Sequence, residues 1–256
     1  MGDTATTFRV LGPLQATRNE RPLTIKGVRR RVLLATLLLH PNKIVSIDTL
    51  IEAVWDDQPP ASAVANIRTY VHDLRLSLRS AGDRTARLRS YRSGYQLLVR
   101  PEELDMLLFN DLLRSGEAAM ARRDLADAVT ELGQAMALWR DAPLKDLPLS
   151  SALAAKAAVL EEYRWSARSL CVDAQLMLGQ HRQVVGYLRE MVADKPLSEH
   201  TWAQLVTALS RAGRTGEALD CFHHARAEFI DMLGIEPGEE LRCAHEAALN
   251  TGKRSA

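Results

Sequence analysis

The first regular hydrophobic positions come in short runs. Phe8-Arg9-Val10-Leu11, Leu14-Gln15-Ala16-Thr17 and Leu23-Thr24-Ile25 are separated by Gly12-Pro13 and by the turn cluster Asn19-Glu20-Arg21-Pro22. Such runs predict two or three short strands. From Val28 the pattern lengthens into a helix over 28–40, stopped by Pro41-Asn42. Ser46 is a good cap for a second helix, Ile47–Trp55, with Asp48 adding negative charge to its first turn. After Gln58-Pro59-Pro60, Ser62 caps a third helix over 61–79, which Gly82-Asp83 closes. Residues 87–90 and 95–99 then alternate as two strands around Arg92-Ser93-Gly94, where glycine supplies a positive φ. Strands, three helices and a terminal hairpin are the order of a winged helix-turn-helix with a small sheet in front, and residues 1–100 are assigned to it.

Pro101-Glu102-Glu103 reads as a linker, and from residue 104 to 256 every strong segment reads as helix. Leu178-Gly179-Gln180-His181-Arg182-Gln183-Val184 matches Ala212-Gly213-Arg214-Thr215-Gly216-Glu217-Ala218 at an offset of 34 residues. That is the period of tetratricopeptide-like helical hairpins. Arg123-Asp124-Leu125-Ala126-Asp127-Ala128 is a looser third copy. The expected fold is therefore an α+β winged-helix domain followed by an all-α, tetratricopeptide-like domain.

The third helix carries the chemistry. Ile67, Val71, Leu74 and Leu78 recur at spacings of 4, 3 and 4 and form a buried stripe. Arg68, His72, Arg75 and Arg79 repeat the same spacing one position on, so a mostly basic edge lies beside the buried one. A major groove accepts one helix with such an edge. Asn66, Arg68, Thr69, His72 and Arg75 are the candidates for base edges. Arg79, Arg29, Arg30 and Lys43 are candidates for phosphates, which fix position and carry no sequence information. Arg87, Arg89 and Arg92 lie on the hairpin, placed for a minor groove or its backbone. Trp55 reads as a core or docking residue.

Net charge changes the picture only once it is divided. The 256-residue chain is formally +1, but residues 1–100 hold 16 Lys and Arg against 8 Asp and Glu, and the remainder 17 against 24. A basic half joined to an acidic half points to a nucleic-acid-binding part and a part that does something else. Acidic helix surfaces such as Glu161-Glu162 and Glu239-Glu240 are either solvated or a protein-contact face. The longest nearly apolar run, 32–39, falls far short of the roughly 20 residues of a membrane span, and no secretory signal opens the chain. Disorder is expected at 1–7 and 251–256. Cys171, Cys221 and Cys243 are odd in number and lack Cys-x-x-Cys spacing, which suits a reducing cytoplasm.

Phosphate-loop, dinucleotide, nucleophile-elbow and zinc-protease motifs are absent. Cys221, His223, His224, Cys243 and His245 are the one metal-like set, and they read as repeat-helix residues rather than ligands. Trp139, Trp165 and Trp202 sit among Leu and Ala and read as core. No catalytic residue, metal or cofactor is expected. The competing reading is an interaction scaffold whose winged domain does not bind DNA.

The run Ile44-Val45-Ser46-Ile47-Asp48-Thr49-Leu50-Ile51-Glu52-Ala53-Val54-Trp55 with Pro59-Pro60, then Ile67-Arg68-Thr69-Tyr70-Val71-His72-Asp73-Leu74-Arg75 and Ser93-Gly94-Tyr95-Gln96-Leu97, resembles the OmpR-type DNA-binding domain of the SARP activators, the antibiotic regulatory proteins of actinomycetes. Asp105, Phe109, Leu138-Trp139-Arg140, Lys195-Pro196-Leu197-Ser198-Glu199 and Leu233-Gly234-Ile235-Glu236-Pro237 resemble that family's transcriptional activation domain. The resemblance implies an activator of antibiotic biosynthetic genes that binds direct repeats in double-stranded promoter DNA near the −35 region. It also implies side-by-side protomers or a homodimer, recruitment of RNA polymerase through sigma and other subunits, and a cytoplasmic, nucleoid-associated location without membrane contact. Two positions depart from the family. Asp73 stands where Arg is common, and Ser90-Tyr91 where the wing often has Thr-Arg. An acid at 73 either repels phosphate or accepts from a cytosine amino group.

Overall fold

The computed structural model describes residues 6–83 and 86–254. They pack as two units. One holds the chain up to Arg114 together with Gly133–Ser166; the other holds Ser115–Leu132 and the chain from Ala167 on. Thr6 and Thr7, expected to be disordered, belong to the first strand, and the last helix continues to Arg254. Residues 1–5 and 255–256 lie outside the described residues.

In the first unit β1 (Thr6–Arg9), β2 (Gln15–Arg18) and β3 (Arg21–Pro22) form an antiparallel sheet. The helices α1 (Val28–Leu38), α2 (Ile47–Trp55) and α3 (Ala63–Ser80) follow. β4 (Val45–Ser46), β5 (Leu88–Tyr91) and β6 (Gly94–Leu97) make a second sheet in the order β4-β6-β5. The Ser46 hydroxyl accepts the Thr49 N–H at 3.0 Å, so the expected cap of α2 is formed. Ser62 precedes α3 without a capping bond from its side chain. The stripe Ile67, Val71, Leu74 and Leu78 is buried as predicted. Each of these side chains contributes roughly 1.5–3 kcal/mol relative to exposure.

Both strands run one residue further into the turn than expected, with Tyr91 opposite Gly94 and Arg92-Ser93 as the loop. Gly94 is not among the positive-φ residues. Its lack of a side chain serves β4 instead. A Cβ there would stand 1.9 Å from the Val45 carbonyl oxygen and 2.9 Å from Ser46 Cα.

Residues 101–103 are not a loose linker. They form a 3₁₀ turn (Pro101–Glu103), and Glu103 and Leu104 behind it are buried. Phe8 bridges to Leu104, and the Asp105 carboxylate accepts the backbone N–H groups of Val10 at 2.8 Å and Leu11 at 3.0 Å. Burial pushes the Asp105 carboxyl up, against the pull of those N–H groups. The same β1–β2 connection is gripped by the segment around Trp139. Arg140 donates through its backbone to the Leu11 carbonyl at 3.0 Å and through Nη2 to that of Pro13 at 3.0 Å. The Leu144 N–H reaches the Gly12 carbonyl at 2.8 Å, and Asp146 accepts the Leu14 N–H at 2.7 Å and pairs with Arg31.

From residue 105 the described elements are helices: α4 (Asp105–Ala121), α5 (Leu125–Ala137), α6 (Ser151–Met177), α7 (His181–Asp194), α8 (Glu199–Arg211), α9 (Thr215–Leu233) and α10 (Glu239–Arg254). In the second unit the 34-residue repeat is a repeat of turn geometry. Gly179 and Gly213 have φ of +78° and +80°, and the N–H groups of Gln180 and Arg214 reach back five residues to the carbonyls of Gln175 and Leu209. Arg123, at φ +60°, holds the same place in the third copy, where the Asp124 N–H reaches the Ala119 carbonyl. On α8, His200 donates toward carboxylates of two other helices, Asp173 at 3.3 Å and Glu240 at 2.5 Å.

Candidate nucleic-acid interface

Helix α3 is held on both flanks. On one, Arg75 Nε and Nη2 donate to the Leu88 carbonyl at 3.0 and 2.9 Å, and Nη2 to the Ser90 hydroxyl at 2.7 Å. Arg75, read from sequence as a base contact, ties α3 to strand β5 of the wing. On the other flank, Arg30 donates through Nε and Nη2 to Asp73 Oδ2 at 2.7 Å, and through Nη1 to the Lys26 carbonyl. Asp73 is therefore neutralised within the fold, and Arg30, read as a phosphate contact, is engaged by it. Tyr70 and Trp55 stack with centroids 6.1 Å apart, Arg30 lying over Tyr70 and Arg29 over Trp55. This ladder joins α1, α2 and α3 and gives Trp55 its docking role.

Between the flanks lies an open face. Arg68, Thr69, His72 and Arg79 are exposed on it. Asn66 is half-buried, and its amide donates to the Ser62 hydroxyl at 3.2 Å. It lies toward the Asp73 flank, about 160° around the helix from Arg68. On the wing, Arg89 and Arg92 are exposed. Arg87 is not: it is 8% exposed, with Nε 2.5 Å from Asp83 and its two terminal nitrogens 3.0 and 3.3 Å from Glu103. Sequence placed it on DNA because arginine in a wing is usually outside; the two buried carboxylates draw it inward. Burial alone would raise the Glu103 carboxyl, but Arg87 and the Arg100 N–H outweigh it and hold it below the usual carboxylate range. Lys43 is exposed, as is Arg29 in the first turn of α1. That helix end has three arginines and no acid of its own; Arg30 pairs with Asp73 and Arg31 with Asp146, which leaves Arg29 as its exposed charge at a helix N-terminus that favours anions.

Two family descriptions match the chain: "Transcriptional regulatory protein, C terminal" over residues 23–97 and "Bacterial transcriptional activator domain" over residues 104–249. Regulatory protein DnrI of Streptomyces peucetius is 32% identical over 94% of this chain and 91% of its own length. The chain belongs to the SARP family. Among its SARP-type relatives, transcriptional regulator RedD of Streptomyces coelicolor is 31% identical over 94% of the chain and 70% of its own length. The solved structure of Mycobacterium tuberculosis EmbR in complex with a low-affinity phosphopeptide superposes with a TM-score of 0.92 at 31% identity, covering 97% of this chain and 66% of EmbR. As a SARP-family member the chain is a DNA-binding transcriptional regulator rather than an enzyme.

Two features of this SARP chain escaped the sequence reading. The pairing of Arg30 with Asp73 joins residues 43 apart, and no local pattern announces it. Leu76, a large apolar side chain 47% exposed on α3, did carry a signal, because its spacing from His72 and Thr69 continues one helical line. Among the described residues, no group of three His, Cys, Asp or Glu is placed to hold a metal, and no helix is long and apolar enough to cross a membrane. Cys221 is pushed up to about 12 by burial, which leaves it an inert thiol. Phe222 stacks on His245 at 3.8 Å, and Trp202 meets His224 edge-on, so these histidines are packing partners.

Proposed function

We propose that this chain activates antibiotic biosynthetic genes by binding direct repeats near the promoter −35 region as side-by-side protomers and recruiting RNA polymerase, sigma factor included. It does so in the cytoplasm, on nucleoid DNA. The observation that carries the DNA part is the exposed basic edge of α3, bounded by the wing on one side and the arginine-rich end of α1 on the other. Arg68, Thr69 and His72 face the major groove. Arg29, Lys43 and Arg79 hold phosphates, and Arg89 and Arg92 reach from the wing. Arg75, Arg87 and Arg30 act through the positions of other groups. For the polymerase part, the second unit offers a groove of about 620 Å³ lined by Val192, Trp202, Leu205 and Leu209 and by the acids Glu217 and Asp220. Such a surface suits a protein partner.

The test is binding of the full chain to duplexes selected from a random library, followed by anisotropy across a salt series. Each phosphate that is no longer neutralised should reduce the slope of log affinity against log salt by roughly 0.9. Alanine at Arg29, Lys43, Arg79, Arg89 or Arg92 is expected to do so. Five unchanged slopes would overturn the assignment. Footprints should show repeated half-sites at a spacing set by the helical turn.

A further inference from the structure

A third line runs along α3, opposite the buried one. Ala65, Thr69, His72 and Leu76 follow spacings of 4, 3 and 4, each two positions before a member of the buried stripe, and all four are exposed. Apart from the exposed imidazole of His72, the line is short of polar reach. Ala65 has none. The Thr69 hydroxyl donates to the Ala65 carbonyl at 3.1 Å, and Leu76 is 47% exposed. The basic groups lie to one side, at Arg68 and Arg79, and the neutralised Arg30–Asp73 pair to the other. Ala65, Thr69 and Leu76 thus give the middle of the face an apolar surface beside His72.

We propose that Leu76 reads a thymine methyl, as the strongest contact of an apolar line shared with Ala65 and Thr69. This rests on the groove reading above. The C5-methyl of thymine is the apolar group that the major groove displays; every other base edge there presents hydrogen-bonding atoms. A leucine laid on those atoms would strip their water and return no bond, so it favours thymine both by contact and by penalising the alternatives. Arg68 supplies the polar readout alongside, suited to guanine.

The experiment starts from the duplex recovered by selection with the full chain and replaces each thymidine by deoxyuridine, one at a time. Wild type should lose about 4-fold at one position, the worth of one buried methylene-sized group. Leu76→Ala should bind the thymidine duplex that much more weakly and be indifferent to deoxyuridine at the same position. Leu76→Met should keep the preference. The salt slope should not move in any of these, because every phosphate keeps its partner. Silent deoxyuridine at every position overturns the proposal. So does an equal penalty in wild type and Leu76→Ala, which would assign the effect to duplex shape. Failure to recover any duplex would strike the groove reading itself, and this inference with it.

Discussion

Replacing Arg87 by Met should unfold the first unit far more readily while leaving the DNA surface of the folded protein intact. The guanidinium is 8% exposed and lies between Asp83 and Glu103, whose side chains are 0% and 4% exposed. Removing one partner of a buried ion pair costs about 3–5 kcal/mol, because the remaining charge is left uncompensated. Arg18, 3.6 Å from Asp83, and the Thr6 hydroxyl at 2.9 Å stay in place, so the lower figure, about 3 kcal/mol, is expected. The pH dependence gives a second handle. In the native protein the Glu103 carboxyl lies below its ordinary value of 4.5, so its stabilising share is present above that value and is lost as pH falls through the lower, folded one. In the variant, burial is opposed by Arg100 without Arg87 and the carboxyl rises; its cost is then relieved by protonation as pH falls. The gap between wild type and variant should narrow between neutral pH and pH 4.5. Urea unfolding followed by circular dichroism and tryptophan fluorescence measures both. Anisotropy on a labelled duplex should give an unchanged salt slope. A variant as stable as wild type, with a slope shallower by roughly 0.9, would refute the reasoning and return Arg87 to the phosphate backbone.

Three further outcomes follow from particular contacts. Gly94→Ala drives a Cβ into the Val45 carbonyl, which is backbone and cannot step aside; unpairing of β4 should cost about 3 kcal/mol and weaken DNA binding by misplacing the wing, and a wild-type melting temperature would count against this. His200, held up to about 9 chiefly by Asp173, should stabilise the second unit fully below its ordinary 6.5 and lose that share as pH rises through 9; full weight would be ~3 kcal/mol, but the side chain is 41% exposed and screening leaves ~1 kcal/mol. Urea midpoints of wild type and His200→Gln should therefore converge between pH 6 and pH 9.5, and parallel curves would exclude the staple. Arg123→Gly should stabilise the protein in urea unfolding by ~0.5–1 kcal/mol, since the turn already has the left-handed backbone that Gly179 and Gly213 adopt; a lower midpoint would mean that the Arg side chain stabilises the turn.

Much of the architecture is legible in the sequence because it is periodic. The buried stripe of α3 and the 34-residue offset repeat within one element or between copies of one motif, and the bounds of α2 follow from the local signals of the Ser46 cap and the prolines beyond it. What periodicity does not report is which distant group comes alongside. Arg75 and Arg87 lie on readable elements, yet their partners are a strand carbonyl 13 residues away and a carboxylate 16 residues away. The pattern marks the exposed edge as an edge; it does not sort the individual arginines into those that face outward and those that brace the fold. Gly94 shows the same limit. Its turn is readable, but the reason for glycine lies in a strand nearly fifty residues earlier.

The grip of Arg140, Leu144 and Asp146 on the Val10–Leu14 connection has a consequence for how such proteins can be recombined. The winged domain is not a cassette that ends at residue 100. A chimera that takes it from one regulator and the helices from another would confront one regulator's β1–β2 connection with the other's Trp139–Asp146 segment, unless residues 133–166 travel with the reader. On the proposed groove reading, exchange of binding specificity within this architecture is therefore easier by changing side chains on the open face of α3 than by swapping domains.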